Sequence, residues 1–131
     1  MNQSLITKRV QSLFFVLALC LLGSFYVFFV RKEVVCPEIT GEITMSISDE
    51  TFEPQNLSIK QCTKVTFTNI GKELHWPASD LHPTHLTYPE FDPQRPLNSD
   101  ESWDFVFDKP GKWKCHDHLS PKTRCIVEVL K

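Results

Sequence analysis

Between residues 42 and 129 the chain repeats one pattern, short runs in which apolar side chains occupy alternate positions. Val65, Phe67 and Asn69 share one face while Thr66 and Thr68 take the other. Trp103, Phe105 and Phe107 share a face, as do Cys125, Val127 and Val129. Shorter runs carry Ile43, Met45 and Ile47, then Leu57 and Ile59. A repeat of two residues belongs to strands with one buried face. Turn residues, Gln61-Cys62 and Pro110-Gly111 among them, punctuate the runs. No stretch of this part carries a helical period, so an all-β domain, a small β-sandwich, is expected.

One interval breaks the alternation. Residues 71–100 contain Pro77, Pro83, Pro89, Pro93 and Pro96, which predicts a long irregular excursion between strands. Long connections with little structure of their own are often where function lies.

The first part of the chain is of a different kind. Residues 13–30, LFFVLALCLLGSFYVFFV, hold no charge, with Lys8 and Arg9 before them and Arg31 and Lys32 after. As a helix such a run rises about 27 Å, close to the hydrocarbon thickness of a bilayer. No small-x-small cleavage site follows it, so an uncleaved transmembrane anchor is expected rather than a signal peptide. The expected organisation is a tail at 1–12, an anchor at 13–30, a linker at 31–41 and a soluble domain at 42–131. Glu33 offsets one positive charge on the far side, which favours a cytoplasmic tail and a soluble domain on the extracytoplasmic side.

Of the 14 basic and 16 acidic residues, Lys8, Arg9, Arg31, Lys32 and Glu33 precede residue 34, leaving a formal charge of −5 on the remainder. A nucleic-acid partner would call for a basic face and is not expected. Docking of a cation or a basic protein is compatible with that charge.

Chemistry concentrates in Trp113-Lys114-Cys115-His116-Asp117-His118-Leu119 and in His75, about forty residues earlier. A thiol and imidazoles match copper or zinc, because soft sulfur and borderline nitrogen suit those ions. All five histidines, His75, His82, His85, His116 and His118, fall in two segments of the soluble part.

The residues Phe52-x-Pro54, Leu57-x-Ile59, Val65-x-Phe67-x-Asn69, His75, Gly111-x-Trp113-x-Cys115-x-x-His118 and Ile126-Val127-x-Val129 resemble the cupredoxins, the plastocyanin and azurin-like proteins. The resemblance covers residues 42–131. It implies a Greek-key β-sandwich of seven or eight strands with one copper ion at one end. In that family a His after the central strand, a Cys ending the penultimate strand, and a His and usually a Met from the next loop hold the metal. Carried onto this chain, those roles fall to His75, Cys115 and His118. Two features depart from the pattern: no Met follows His118, and Cys-His-Asp-His stands where Cys-x-Pro-His is usual. The arrangement is similar to that of small bacterial cupredoxin-like proteins in which the position of Cys115 is commonly Tyr.

The same topology implies that Cys36 and Cys62 lie together at the end opposite the metal, as a disulfide of an oxidising compartment. Cys115 and Cys125 lie on neighbouring strands with inward parity. They form a second disulfide, or Cys115 is a copper thiolate, or both are buried thiols. Among the histidines, His75 and His118 are the leading metal candidates and His116 and His85 follow. His116 is set back because on a regular strand it points away from Cys115, and His82 has the weakest claim. Trp76, Tyr88, Phe91 and Trp103 either shield the site or, as the leading reading, belong to the sandwich core. Asp117 either orients an imidazole or belongs to a turn.

Copper-based electron transfer is therefore expected, with a redox protein as partner. A copper-handling protein with a mostly histidine site drawn from His75, His85, His116 and His118, and with a copper donor or acceptor, is the alternative, and a metal-free, disulfide-stapled binding module a third reading. No hydrolytic triad, phosphate loop or paired carboxylates point to an enzyme.

Overall fold

The computed structural model describes residues 36–131. The expected tail, the anchor and residues 31–35 of the linker lie outside the described residues. Among the described residues no helix is long and apolar enough to cross a membrane.

Among the described residues eight strands follow one another: β1 (Gly41–Ile47), β2 (Phe52–Glu53), β3 (Asn56–Lys60), β4 (Thr63–Asn69), β5 (Pro77–Ser79), β6 (Ser102–Phe107), β7 (Gly111–Asp117) and β8 (Arg124–Leu130). They form two mixed four-stranded sheets, ordered β2-β1-β4-β6 and β3-β8-β7-β5. Strand β1 runs parallel to β4, and β3 parallel to β8, while the other pairs are antiparallel. The all-β expectation is met.

Alternation decides what is buried. Along β4, Thr63, Val65, Phe67 and Asn69 are buried and the residues between them are not. Along β8 the buried set is Cys125, Val127 and Val129. Met45, Ile47, Val65, Phe67 and Phe107 from one sheet and Leu57, Ile59, Cys115, Val127 and Val129 from the other make one core. Tyr88 and Phe91, from the excursion, complete it. Phe91 lies 5.1–5.9 Å, centroid to centroid, from Phe67, Trp103, Phe105 and Phe107. Aromatic rings dominate such burial because each removes a large apolar area from water.

Two disulfides staple the domain. Cys36 is bonded to Cys62, and Cys115 to Cys125. Cys115 and Cys125 are directly opposed in the β7–β8 register, with Cα atoms 4.9 Å apart. That separation lies within the range a disulfide spans.

The excursion between β4 and β6 is more ordered than its prolines suggest. It contributes β5, which extends the second sheet along β7, pairing Ser79 with Cys115 and Ala78 with His116. Past β5 the chain folds back: Thr87 N donates to Asp80 O, and Phe91 O accepts from Ser79 N. The returning segment therefore lies beside the end of β7, where the histidines are.

Candidate metal centre

His116 lies on β7 next to Cys115 but on the opposite face of the strand. That face is covered, because residues 80–85 fold over it, and His116 is fully buried. Its Nδ1 donates to Asp80 Oδ1 at 3.1 Å, and Asp80 is held in turn by Arg124 Nη1 at 3.0 Å. With Nδ1 carrying the hydrogen, Nε2 presents a lone pair, and His82 Nδ1 lies 3.3 Å from it.

His118, just past the end of β7, is anchored by its own N–H, which donates to Trp76 O at 2.7 Å. Its ring packs on the Trp76 indole with centroids 4.6 Å apart, and on His82 at 4.7 Å. His118 Nδ1 lies 2.8 Å from His85 Nε2. His82, His116 and His118 each bring a donor atom within 4.8 Å of the others.

Burial pushes the His116 imidazole below its ordinary value; Asp80 opposes this, and His85 and His82 add to it. His118 is lowered for the same first reason, helped by His85 and His82. Both rings are thus kept neutral at neutral pH, the state in which imidazole binds a metal.

His75 belongs to another constellation. Its Nδ1 donates to the buried Asp117 Oδ2 at 2.8 Å, and its Nε2 faces Asp49 Oδ1 at 3.2 Å. Asp117 Oδ1 also accepts from the backbone N–H groups of Trp76 and Leu119. Asp117 thus both holds an imidazole and organises the turn after β7.

The three residues expected to share a metal are not brought together in this arrangement. Cys115 Sγ is bonded to Cys125 and faces the core, so it has no thiolate to offer. Both ring nitrogens of His75 are engaged by carboxylates. Only His118 lies in the imidazole cluster. There it is joined by His116, whose outward face proves to be buried, and by His82, whose position in the proline-rich loop gave no sign of what it meets. The one available signal was the crowding of Asp80, His82 and His85 into six residues of that loop.

No family model matches the chain, and no curated protein matches it. Solved structures do. A purple cupredoxin from Nitrosopumilus maritimus aligns at 23% identity and TM-score 0.55, over 67% of this chain and 99% of that one. An oxidised mutant of amicyanin aligns at 19% identity and TM-score 0.59, over 67% and 81%. The fold is that of the cupredoxins. A copper-containing nitrite reductase from Thermus scotoductus carries the same fold in 22% of its length, at 22% identity and TM-score 0.56 over 69% of this chain.

The imidazole cluster of this cupredoxin fold suits a borderline metal ion such as Cu(II) or Zn(II). Two ligand nitrogens, each about 2.0–2.1 Å from one ion, stand about 3–4 Å apart, with about 3.3 Å in the tetrahedral case. His82 Nδ1 and His116 Nε2 already have that spacing, 3.3 Å. The carboxylate behind His116 is the partner that metal-bound imidazoles usually have. The residues present therefore fit a copper ion through nitrogen rather than sulfur.

Proposed function

We propose that this chain is a copper-binding domain that holds one ion through His82, His116 and His118 and serves in copper handling, taking copper from a donor and passing it to an acceptor. The observation that carries this reading is the convergence of imidazoles beside a Cys115 that is tied up in a disulfide. An all-imidazole site favours Cu(II) and holds it without the thiolate that gives an electron-transfer centre its character. The Asp80 carboxylate fixes the His116 tautomer, and burial keeps the rings of His116 and His118 unprotonated. Bound copper would supply a one-electron couple at this end of the sandwich.

Electron transfer is the second reading, and one observation favours it. Trp76, only partly buried, packs on His118 and extends the aromatic shell from the cluster toward the surface.

Two disulfides support an oxidising compartment. We place the domain on the extracytoplasmic side of a membrane, carried there by residues 13–30. The acidic balance supports a protein partner and no nucleic acid.

The test is electron paramagnetic resonance of the full chain, loaded with Cu(II) and desalted. A large parallel hyperfine splitting is expected from a nitrogen-bound ion. A small splitting would mean a thiolate ligand and restore Cys115 to the site, with His75 and His118. Loss of copper on desalting would overturn the metal reading.

A further inference from the structure

A fourth imidazole faces this cluster, and its surroundings are built around it. His85 is buried and sits at φ 53°, in the left-handed region that a non-glycine residue adopts at a cost. Its carbonyl is held by the Ser79 hydroxyl at 2.8 Å. Its Nδ1 donates to Asp92 Oδ2 at 2.6 Å, which leaves Nε2 as an accepting lone pair aimed at His118 Nδ1, 2.8 Å away.

Asp92 is itself held at both carboxylate oxygens. Its Oδ1 accepts from Trp76 Nε1 at 2.8 Å and from the Gln94 N–H at 2.7 Å. One carboxylate therefore fixes the tautomer of His85 and the indole that packs on His118. A loop tie needs only the Nδ1 bond. It does not need the second nitrogen turned toward His118, with ring centroids 4.8 Å from His118 and 5.4 Å from His116.

We propose that His85 is a fourth ligand of the proposed copper site and that Asp92 is its positioning residue. The proposal rests on the copper reading above. His85 Nε2 and His118 Nδ1 are spaced as two adjacent nitrogens of a square-planar ion, about 2.8 Å apart for bonds of about 2.0 Å. His82 Nδ1 and His116 Nε2, now 3.3 Å apart, would have to close on the ion to complete a tetragonal set, which would select Cu(II) over Zn(II), since Zn(II) prefers a tetrahedron. His85 thus makes the site specific, and Asp92 acts on it from behind as it acts on Trp76.

The experiment compares the full-length protein with His85→Gln and Asp92→Asn, each loaded with Cu(II). Pulsed electron paramagnetic resonance counts coordinated imidazoles, and competition with a chelator gives the dissociation constant for Cu(II) and for Zn(II). The unaltered protein should show four imidazoles and H85Q three, with Cu(II) affinity falling about 10–100-fold in H85Q and by a similar factor in D92N. D92N should keep the imidazole count but broaden the spectrum, and Asp92→Glu should restore much of the affinity. Zn(II) affinity should change least. An unaltered protein with three imidazoles, or an H85Q protein with the parent count and affinity, would overturn the proposal while leaving the three-histidine site standing. Failure of the unaltered protein to bind copper would remove both. If H85Q does not fold, D92N and D92E decide the matter: unchanged copper affinity in both overturns it.

Discussion

His116 Nδ1 and Asp80 Oδ1 stand 3.1 Å apart in the buried space between β7 and the segment that leaves β5. The contact determines which nitrogen of His116 is free, and so whether the cluster offers a lone pair or a hydrogen at that point. Asp80→Ala removes this control and should lower Cu(II) affinity about 10–100-fold. Asp80→Asn keeps an accepting oxygen and should cost less. Chelator competition reads both, and an unchanged affinity in D80A would separate Asp80 from metal binding.

The Cys115–Cys125 bond closes a loop with a sequence separation of 10 and ties β7 to β8 beneath the cluster. Replacing both cysteines with alanine should destabilise the domain by about 2–4 kcal/mol, chiefly by enlarging the unfolded ensemble. Denaturant unfolding measures this. Because Cys115 faces the core and His116 the other side of the strand, the Cu(II) spectrum should not change. An intense thiolate-to-copper absorption in the parent, absent from the double variant, would refute that separation.

Much of this architecture was legible from residue parity. The alternation of Val65, Phe67 and Asn69 gave the inward face of β4, and the same parity set Cys125 beside Val127 and Val129. The resemblance implied the Cys36–Cys62 pair, and parity allowed Cys115–Cys125 without deciding it. Parity failed at His116 because it gives direction and not environment. The outward side of a strand is solvent only when nothing folds over it, and here the 80–85 segment does. His82 was illegible for the same reason, since its role depends on where a proline-rich loop lands. His75 and Asp117 show the opposite case: residues 42 positions apart, each plausible in a metal site, satisfy one another.

Acid should loosen the metal-free domain through the same imidazoles. Burial lowers His116 and His118 in the fold, whereas in the unfolded chain histidine titrates near 6.5. The unfolded state therefore binds more protons below that value, so stability is complete above about pH 6.5 and declines as pH falls toward the lowered folded values. Urea midpoints taken between about pH 7.5 and 5 should fall with acidity. His116→Gln should flatten the slope, and a midpoint that rises on acidification would contradict the burial argument.

The Asp49–His75–Asp117 chain should act on stability and not on copper. It joins the segment before β2, the loop after β4 and the end of β7, and Asp117 is fully buried. Gly71 makes the approach possible: a Cβ there would lie 2.2 Å from Asp49 Oδ1 and 2.8 Å from His75 Nε2. Gly71→Ala must therefore push Asp49 away from His75, at about 1–3 kcal/mol for the overpacked contact. His75→Leu leaves the buried Asp117 carboxylate without a partner at Oδ2 and should cost about 1–3 kcal/mol, as loss of a hydrogen bond to a buried acceptor does. Thermal or urea unfolding measures both losses. Copper affinity, measured in the same preparations under folding conditions, should match the parent, because neither His75 nitrogen faces the imidazole cluster. A His75→Leu protein that folds but no longer retains Cu(II) would move His75 into the metal site and break the separation between the two histidine groups.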